Sequence, residues 1–180
     1  MKKDISEYNF EKGDIGEELV RRALRKKNYM LAFFEPGQAH PCDNIVTKWN
    51  MEFRALDIKT YPRRFYYPDT GINYSHYLKY IKIKDPFYLI FVDDIEKKVY
   101  GNSLFELNKK TTVNEVSYPF MQGSGDKKRI YFPLQNMEFY FGLPDDFCKE
   151  LRGKSGGSYY DKNKQPKQFN INWQENKSWI

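Results

Sequence analysis

The stretch Arg54-Ala-Leu-Asp-Ile-Lys-Thr60 constrains the fold more than any other part of the chain. It reads as the heart of a strand running from Glu52 to Thr60. Side chains alternate along a strand, so Leu56 and Ile58 share one face while Asp57 and Lys59 share the other. A carboxylate and an ammonium inside such a segment are tolerated only if they pair with each other or with a metal. The apolar face is therefore expected to anchor the strand, and the charged face to be offered to something. The same acid-x-lysine spacing recurs at Glu96-Lys97-Lys98, Asp126-Lys127-Lys128 and Glu175-Asn176-Lys177. Those three lie in charged turns or in the polar end of the chain and read as solvated.

The elements around this strand follow from periodicity. Ile15, Leu19, Val20, Ala23 and Leu24 recur at helical spacing between Lys12 and Asn28, with Arg21, Arg22, Arg25, Lys26 and Lys27 forming a basic face. Tyr29–Phe34 reads as a strand closed by Pro36-Gly37, and Asp43–Lys48 pairs with Glu52–Thr60 as a hairpin around Trp49-Asn50. Tyr74, Tyr77, Leu78 and Ile81 mark a second helix, with Asn73 or Ser75 as its cap and Asp85-Pro86 as its stop. Phe87–Val92 reads as a buried strand turned at Asp93-Asp94 into Val99–Gly101. A short helix at Ser103–Asn108, a Gly-rich turn at Gly123–Asp126 and a strand at Arg129–Pro133 follow. Helices and strands alternate, so the class is α/β or α+β. With 180 residues, one domain over residues 1–150 is expected. Residues 151–180 are polar and basic yet keep Phe169, Trp173 and Trp179, and read as a tail that is docked or ordered by a partner.

The balance of charge narrows the partners. A formal net charge of +6 favours a polyanion such as nucleic acid. From Lys149 onward seven basic residues face three acids, which also fits a solvated tail. The longest apolar runs are short, as at Phe87–Val92, and the start Met-Lys-Lys-Asp is charged, so neither a signal peptide nor a membrane span is expected. Cys42 and Cys148 lie far apart with no C-x-x-C, so neither a disulfide framework nor a zinc site is indicated, and both are expected reduced in a cytoplasm. His40 and His76 are too few for a histidine-rich metal centre. Gly153-Lys154-Ser155 is not a phosphate loop, because the required earlier glycine is Cys148 and no strand precedes it.

Asp57 has a candidate partner. Asp43, in Pro41-Cys42-Asp43-Asn44-Ile45-Val46, begins the preceding hairpin strand and can reach the same end of the sheet. Two converging carboxylates beside a lysine are what a magnesium-dependent phosphodiesterase needs. Pro41-x-Asp43, a hairpin, then Asp57-x-Lys59 resembles the signature of the PD-(D/E)XK nuclease superfamily, with Cys42 as one extra residue between proline and aspartate. The upstream helix agrees: Gly13-Asp-Ile-Gly16-Glu17-Glu-Leu-Val20 resembles the family's first helix, whose glutamate often completes the metal site. The likeness spans roughly residues 12–93.

The resemblance implies a restriction-endonuclease-like core, a central mixed β-sheet flanked by helices, and an endonuclease that hydrolyses phosphodiester bonds in DNA. Its roles in restriction, repair, junction resolution or mobile elements and phages all suit that scaffold. Carried onto this chain, it implies Asp43, Asp57 and the backbone carbonyl of Ile58 as ligands of Mg²⁺, for which Mn²⁺ can substitute, with Glu17 joining directly or through water. Lys59 would orient the attacking water and offset charge in the transition state. If one site per chain cuts both strands, a homodimer follows. The residues alone also allow a plainer reading: Asp43 caps a turn, Asp57 and Lys59 form a surface pair, and Glu17 pairs with Arg21 at i+4. The corresponding alternative function is a non-catalytic nucleic-acid-binding or protein-interaction module. Basic and aromatic residues interleave just after the candidate catalytic strand, and Arg63, Arg64, Tyr66, Tyr67 and Lys79 are the candidate contacts to phosphates and bases.

Overall fold

A computed structural model describes residues 5–33, 42–49, 52–84, 86–109, 111–115, 128–153 and 165–175. His40, Pro41, the Gly123–Asp126 turn and Trp179 lie outside the described residues. The chain runs α1 (Ile5–Lys26), β1 (Met30–Phe33), β2 (Asn44–Thr47), β3 (Arg54–Lys59), β4 (Asp69–Asn73), α2 (Tyr74–Tyr80), β5 (Phe87–Asp93), β6 (Lys98–Ser103), α3 (Leu104–Leu107), β7 (Thr112–Glu115), β8 (Lys128–Pro133), β9 (Glu138–Gly142), α4 (Asp145–Gly153) and β10 (Gln174–Glu175). α1 begins before the expected Lys12 and ends at Lys26. Asn28 there takes a left-handed φ of 64°, and the Tyr29 amide donates back to the Leu24 carbonyl at 3.1 Å.

Among the described residues, seven strands form a mixed sheet in the order β1-β2-β3-β5-β6-β9-β10, and β4-β8-β7 form a small antiparallel sheet. Within the large sheet β3 pairs parallel with β5 and β10 parallel with β9, while the neighbours β2 and β3 form the expected antiparallel hairpin. The fold class is thus α/β with a central mixed sheet flanked by helices. β5 is the middle strand, and Leu89, Ile90, Phe91 and Val92 are all buried; each such side chain contributes about 1.5–3 kcal/mol through burial.

The sheet is covered on both faces. On one, Val20 and Leu24 of α1 and Cys148 and Leu151 of α4 pack with Leu56, Ile58, Ile90 and Val92. On the other, Tyr80 of α2 and Ile72, Ile130 and Phe132 of the small sheet pack with Ala55, Leu89, Phe91 and Tyr100. Both faces of β3 are therefore buried, and the charged face of Asp57 is covered where the sequence pattern led us to expect it offered. α1 lies close on the end of β3: a Cβ added to Gly16 would come within 1.9 Å of Thr60 Oγ1, which explains a glycine in mid-helix.

Several elements escaped the sequence pattern. β4, β7 and β9 are short strands held by pairing, and α4 runs across residue 151, where composition turns polar. Residues 165–175 lie against the fold. The Lys167 amide donates to the Phe65 carbonyl at 2.9 Å, and the Trp173 ring packs on Tyr100 with centroids 5.1 Å apart.

Candidate active site

The β2–β3 register brings the two candidate acids together. Asn44 stands opposite Leu56 and Ile45 opposite Ala55, so one further step puts Asp43 across from Asp57. The Asp43 amide donates to the Leu56 carbonyl at 3.0 Å. Its carboxylate Oδ2 accepts from the Ile58 amide at 2.7 Å. Carbonyls along a strand alternate sides, so that of Ile58 points the same way as that of Leu56, toward the end of β2 and Asp43.

Asp57 is only 3% exposed. Its Oδ2 accepts from the Tyr80 hydroxyl at 2.8 Å and lies 2.6 Å from Lys59 Nζ. An isolated buried carboxylate costs several kcal/mol, and these two donors are what make it tolerable. Tyr80 is held by stacking on Phe87 at 4.6 Å between centroids. Nothing in the local sequence singles out Tyr80; the tertiary fold buries it and turns its hydroxyl onto Asp57.

The electrostatics are set first by burial and then by the neighbouring charges. Burial pushes the Asp57 carboxyl up to about 7, Asp43 adds to the rise, and Lys59 and Tyr80 work against it. Burial alone would lower the Lys59 ammonium, yet Asp57, Tyr80 and Asp43 outweigh it and hold the lysine charged. Burial raises the Cys42 thiol, and Asp57 and Asp43 raise it further.

Glu17 reaches this region from the α1 layer, on the opposite side of the sheet. Its carboxyl is raised first by burial and then by the charge of Asp43, while Arg21 and Lys59 lower it. Its direct partner is Arg21, 2.8 Å from Oε2. The same guanidinium donates to Asn44 Oδ1 at 2.9 Å, tying α1 to β2. Glu17 therefore shares the field of Asp43 but is engaged by Arg21, as the plainer reading anticipated.

Carboxylate and carbonyl oxygens are the hard ligands that Mg²⁺ takes, and a buried Asp57 raised to about 7 beside Asp43 is an acidic pair that a cation would relieve. The chemistry of the pair fits. Among the described residues, however, no three His, Cys, Asp or Glu side chains form a group able to hold a metal ion. The set is two acids and a carbonyl, with Lys59 as the present counter-charge.

The structure divides the five expected nucleic-acid contacts: Arg63 and Arg64 are engaged by the protein itself, and Tyr66, Tyr67 and Lys79 are exposed. Arg63 is fully buried and cannot grip a phosphate. Its Nε pairs with Glu96, and its other nitrogens donate to the carbonyls of Arg64 at 2.8 Å, Phe65 at 3.3 Å and Lys167 at 2.7 Å. The guanidinium also lies 5.0 Å from the Phe169 ring centre. Arg64 is engaged as well, donating twice to the Asp69 carboxylate at 2.5 and 2.6 Å. Tyr66 and Tyr67 are 55% and 54% exposed, and Lys79 is exposed on α2.

A second buried polar cluster closes the β5–β6 hairpin and was not foreseen. Asp93 accepts from the Arg63 amide at 2.9 Å, the Tyr100 hydroxyl at 2.7 Å and the Ile95 amide at 2.7 Å. Asp94 is flanked by Lys12 at 3.5 Å and Arg152 at 3.3 Å, which join α1 and α4 to the turn. Asp93-Asp94 looks like an ordinary turn signal in sequence; its burial depends on residues far away in the chain.

No protein-family model matches the chain, and no curated protein matches it. Among solved structures the chain is similar to Hjc of Archaeoglobus fulgidus, a Holliday junction resolvase from an archaeal hyperthermophile. The two share 10% identity with a TM-score of 0.47, over 76% of this chain and 99% of that one. No helix of the described residues is long and apolar enough to cross a membrane.

Proposed function

We propose that this protein is a metal-dependent nuclease that hydrolyses phosphodiester bonds in DNA, with Mg²⁺ as the ion and Mn²⁺ able to replace it. The observation that carries the reading is the buried Asp57 beside Asp43, bonded to Lys59 Nζ at 2.6 Å. The i, i+2 spacing alone is cheap; an acid buried with a lysine, across from a second acid, is not a surface pair. Perturbed acids of this kind concentrate at functional sites.

Asp43, Asp57 and the Ile58 carbonyl would hold the ion, with Glu17 nearby through the field it shares with Asp43. When bound, Mg²⁺ supplies a water of lowered pKa and positive charge near the departing oxygen. The chain's own residues do the rest. Asp43 is fixed by the Ile58 amide, and Asp57 by Tyr80 and Lys59, so neither carboxylate needs reorganising. Among the described residues Lys59 is the cation bonded to Asp57, and its ammonium would orient water and offset charge building on the phosphoryl oxygens.

Asp57→Asn tests the reading, since it removes a charged ligand at nearly constant shape. Cleavage with Mg²⁺ is expected to fall by orders of magnitude while the fold survives. In EDTA, DNA binding should hold or improve, because a repelling charge has gone. The assay spans linear duplex, single strands, branched junctions and RNA. A purified parent that cuts none of these with Mg²⁺ or Mn²⁺, and binds neither ion by calorimetry, leaves the binding-module reading in its place.

A further inference from the structure

The loop 61–68, which leaves the end of β3 directly after Lys59, is more tightly held than its place on the surface requires. The Arg64 amide donates to the Asp69 carbonyl, the Leu134 amide to the Pro68 carbonyl and the Lys167 amide to the Phe65 carbonyl, each at 2.9 Å. From beneath, the buried Arg63 guanidinium donates to the carbonyls of Arg64 and Phe65. A short loop fixed from three other segments is a rigid mount.

What it presents is aromatic. The Arg64 guanidinium lies 4.2 Å from the Tyr67 ring centre and 3.8 Å from that of Tyr131, so it packs on both rings. Both of its bonds to Asp69 neutralise it. A guanidinium so placed is not offered to a phosphate; it is a prop that fixes the inner face of Tyr67. The exposure of Tyr67, 54%, then falls on its outer face and edge, next to Tyr66 at 55%. Neither ring belongs to either core cluster. Large exposed rings on a rigid loop are unfavourable for the free protein and useful when something flat stacks on them.

We propose that Tyr66 and Tyr67, on the loop that follows the Asp57–Lys59 strand, form a stacking platform for unpaired nucleobases, which makes the substrate single-stranded or a duplex with unpaired bases. The proposal rests on the nucleic-acid reading of the Asp57–Lys59 site. Bases within a continuous duplex already cover one another's faces, so only a splayed or single-stranded base can take a tyrosine face. Because the platform is pre-formed, little ordering is lost on binding. The net charge of +6 supplies the backbone attraction, and the rings add the preference for unpaired bases.

The test is binding in EDTA, which separates it from cleavage. Fluorescence anisotropy would follow a labelled single strand and a continuous duplex of equal length. For Tyr67→Ala and, separately, Tyr66→Ala, affinity for the single strand is expected to fall about five- to a hundredfold, the span of one lost base stack. Duplex affinity should change less than about twofold. Tyr67→Phe keeps the ring and should restore single-strand binding. Thermal melts identify any variant that fails to fold, and Tyr66→Ala, which leaves the packing of Arg64 intact, then decides. Equal losses on both substrates, no loss on either, or a parent that prefers duplex would overturn the platform while leaving the nuclease reading standing. A parent that binds neither nucleic acid overturns both.

Discussion

Arg63→Met is the sharpest perturbation this fold invites, because sequence and structure assign Arg63 opposite fates. As a phosphate contact on the surface, its loss would leave stability unchanged and reduce the salt slope of DNA binding by about one. The structure has it fully buried, paired with Glu96 and donating to three carbonyls, of Arg64, Phe65 and Lys167. Methionine keeps much of the apolar stem and removes every donor. Breaking a buried ion pair from one side costs about 3–5 kcal/mol, and the stranded carbonyls about 1 kcal/mol each where water cannot reach them. These terms overlap, so a loss of about 4–5 kcal/mol is expected, a large share of a stability of about 5–15 kcal/mol. With a urea m-value of about 2 kcal/mol/M the midpoint should move down by about 2 M. The loss should be accompanied by faster hydrogen exchange at Lys167 and the residues after it, since residues 165–175 lose the bond from Arg63 to the Lys167 carbonyl. Arg63→Lys, which retains the charge for Glu96 but not the fork of donors, should fall between. A midpoint shift under about 0.5 M together with a salt slope reduced by about one would refute the buried assignment.

Two further outcomes follow from the buried acids. Tyr80→Phe removes the hydroxyl that bonds Asp57 at 2.8 Å but keeps the stack on Phe87; urea unfolding should show about 1.5–3 kcal/mol lost, and metal-dependent cleavage should drop about 10–100-fold. Burial pushes the Asp93 carboxyl up to about 6 from an ordinary 3.8, against bonds from Tyr100, Arg63 and Glu96 that lower it. Below about pH 3.8 the group is protonated in both states; as pH rises through about 6 the folded state must ionise a buried acid and loses about 3 kcal/mol relative to the unfolded chain. The stability advantage of the parent over Asp93→Asn should therefore shrink between pH 4 and pH 7, and an advantage that grows with pH would reverse the sign of this argument.

What the sequence determined by itself was local. The 3.6-residue spacing of Ile15, Leu19, Val20 and Leu24 specified α1, and the apolar run Phe87–Val92 specified the central strand, since both patterns express burial that does not depend on which partner supplies it. The spacing Asp43, Asp57, Lys59 was legible because a hairpin maps chain positions onto opposite positions with a fixed register. Short strands such as Asp69-Thr-Gly-Ile-Asn73 carry no such pattern, and exist because Arg129–Pro133 lies alongside. The tertiary structure alone decided which charges are hidden. Arg63 and Arg64 are chemically alike and adjacent, yet Arg63 is drawn inside by Glu96 and Lys167, 33 and 104 residues away, while Arg64 finds Asp69 five residues on. Likewise the covering of Asp57 by Tyr80 arises because β3 and β5 pair in parallel, which requires a crossover, and that crossover lays α2 over the charged face. Burial is a property of what a chain returns to pack against, and for a charged side chain it reverses function: the same guanidinium that would hold a phosphate in water holds the protein's own carbonyls in the core.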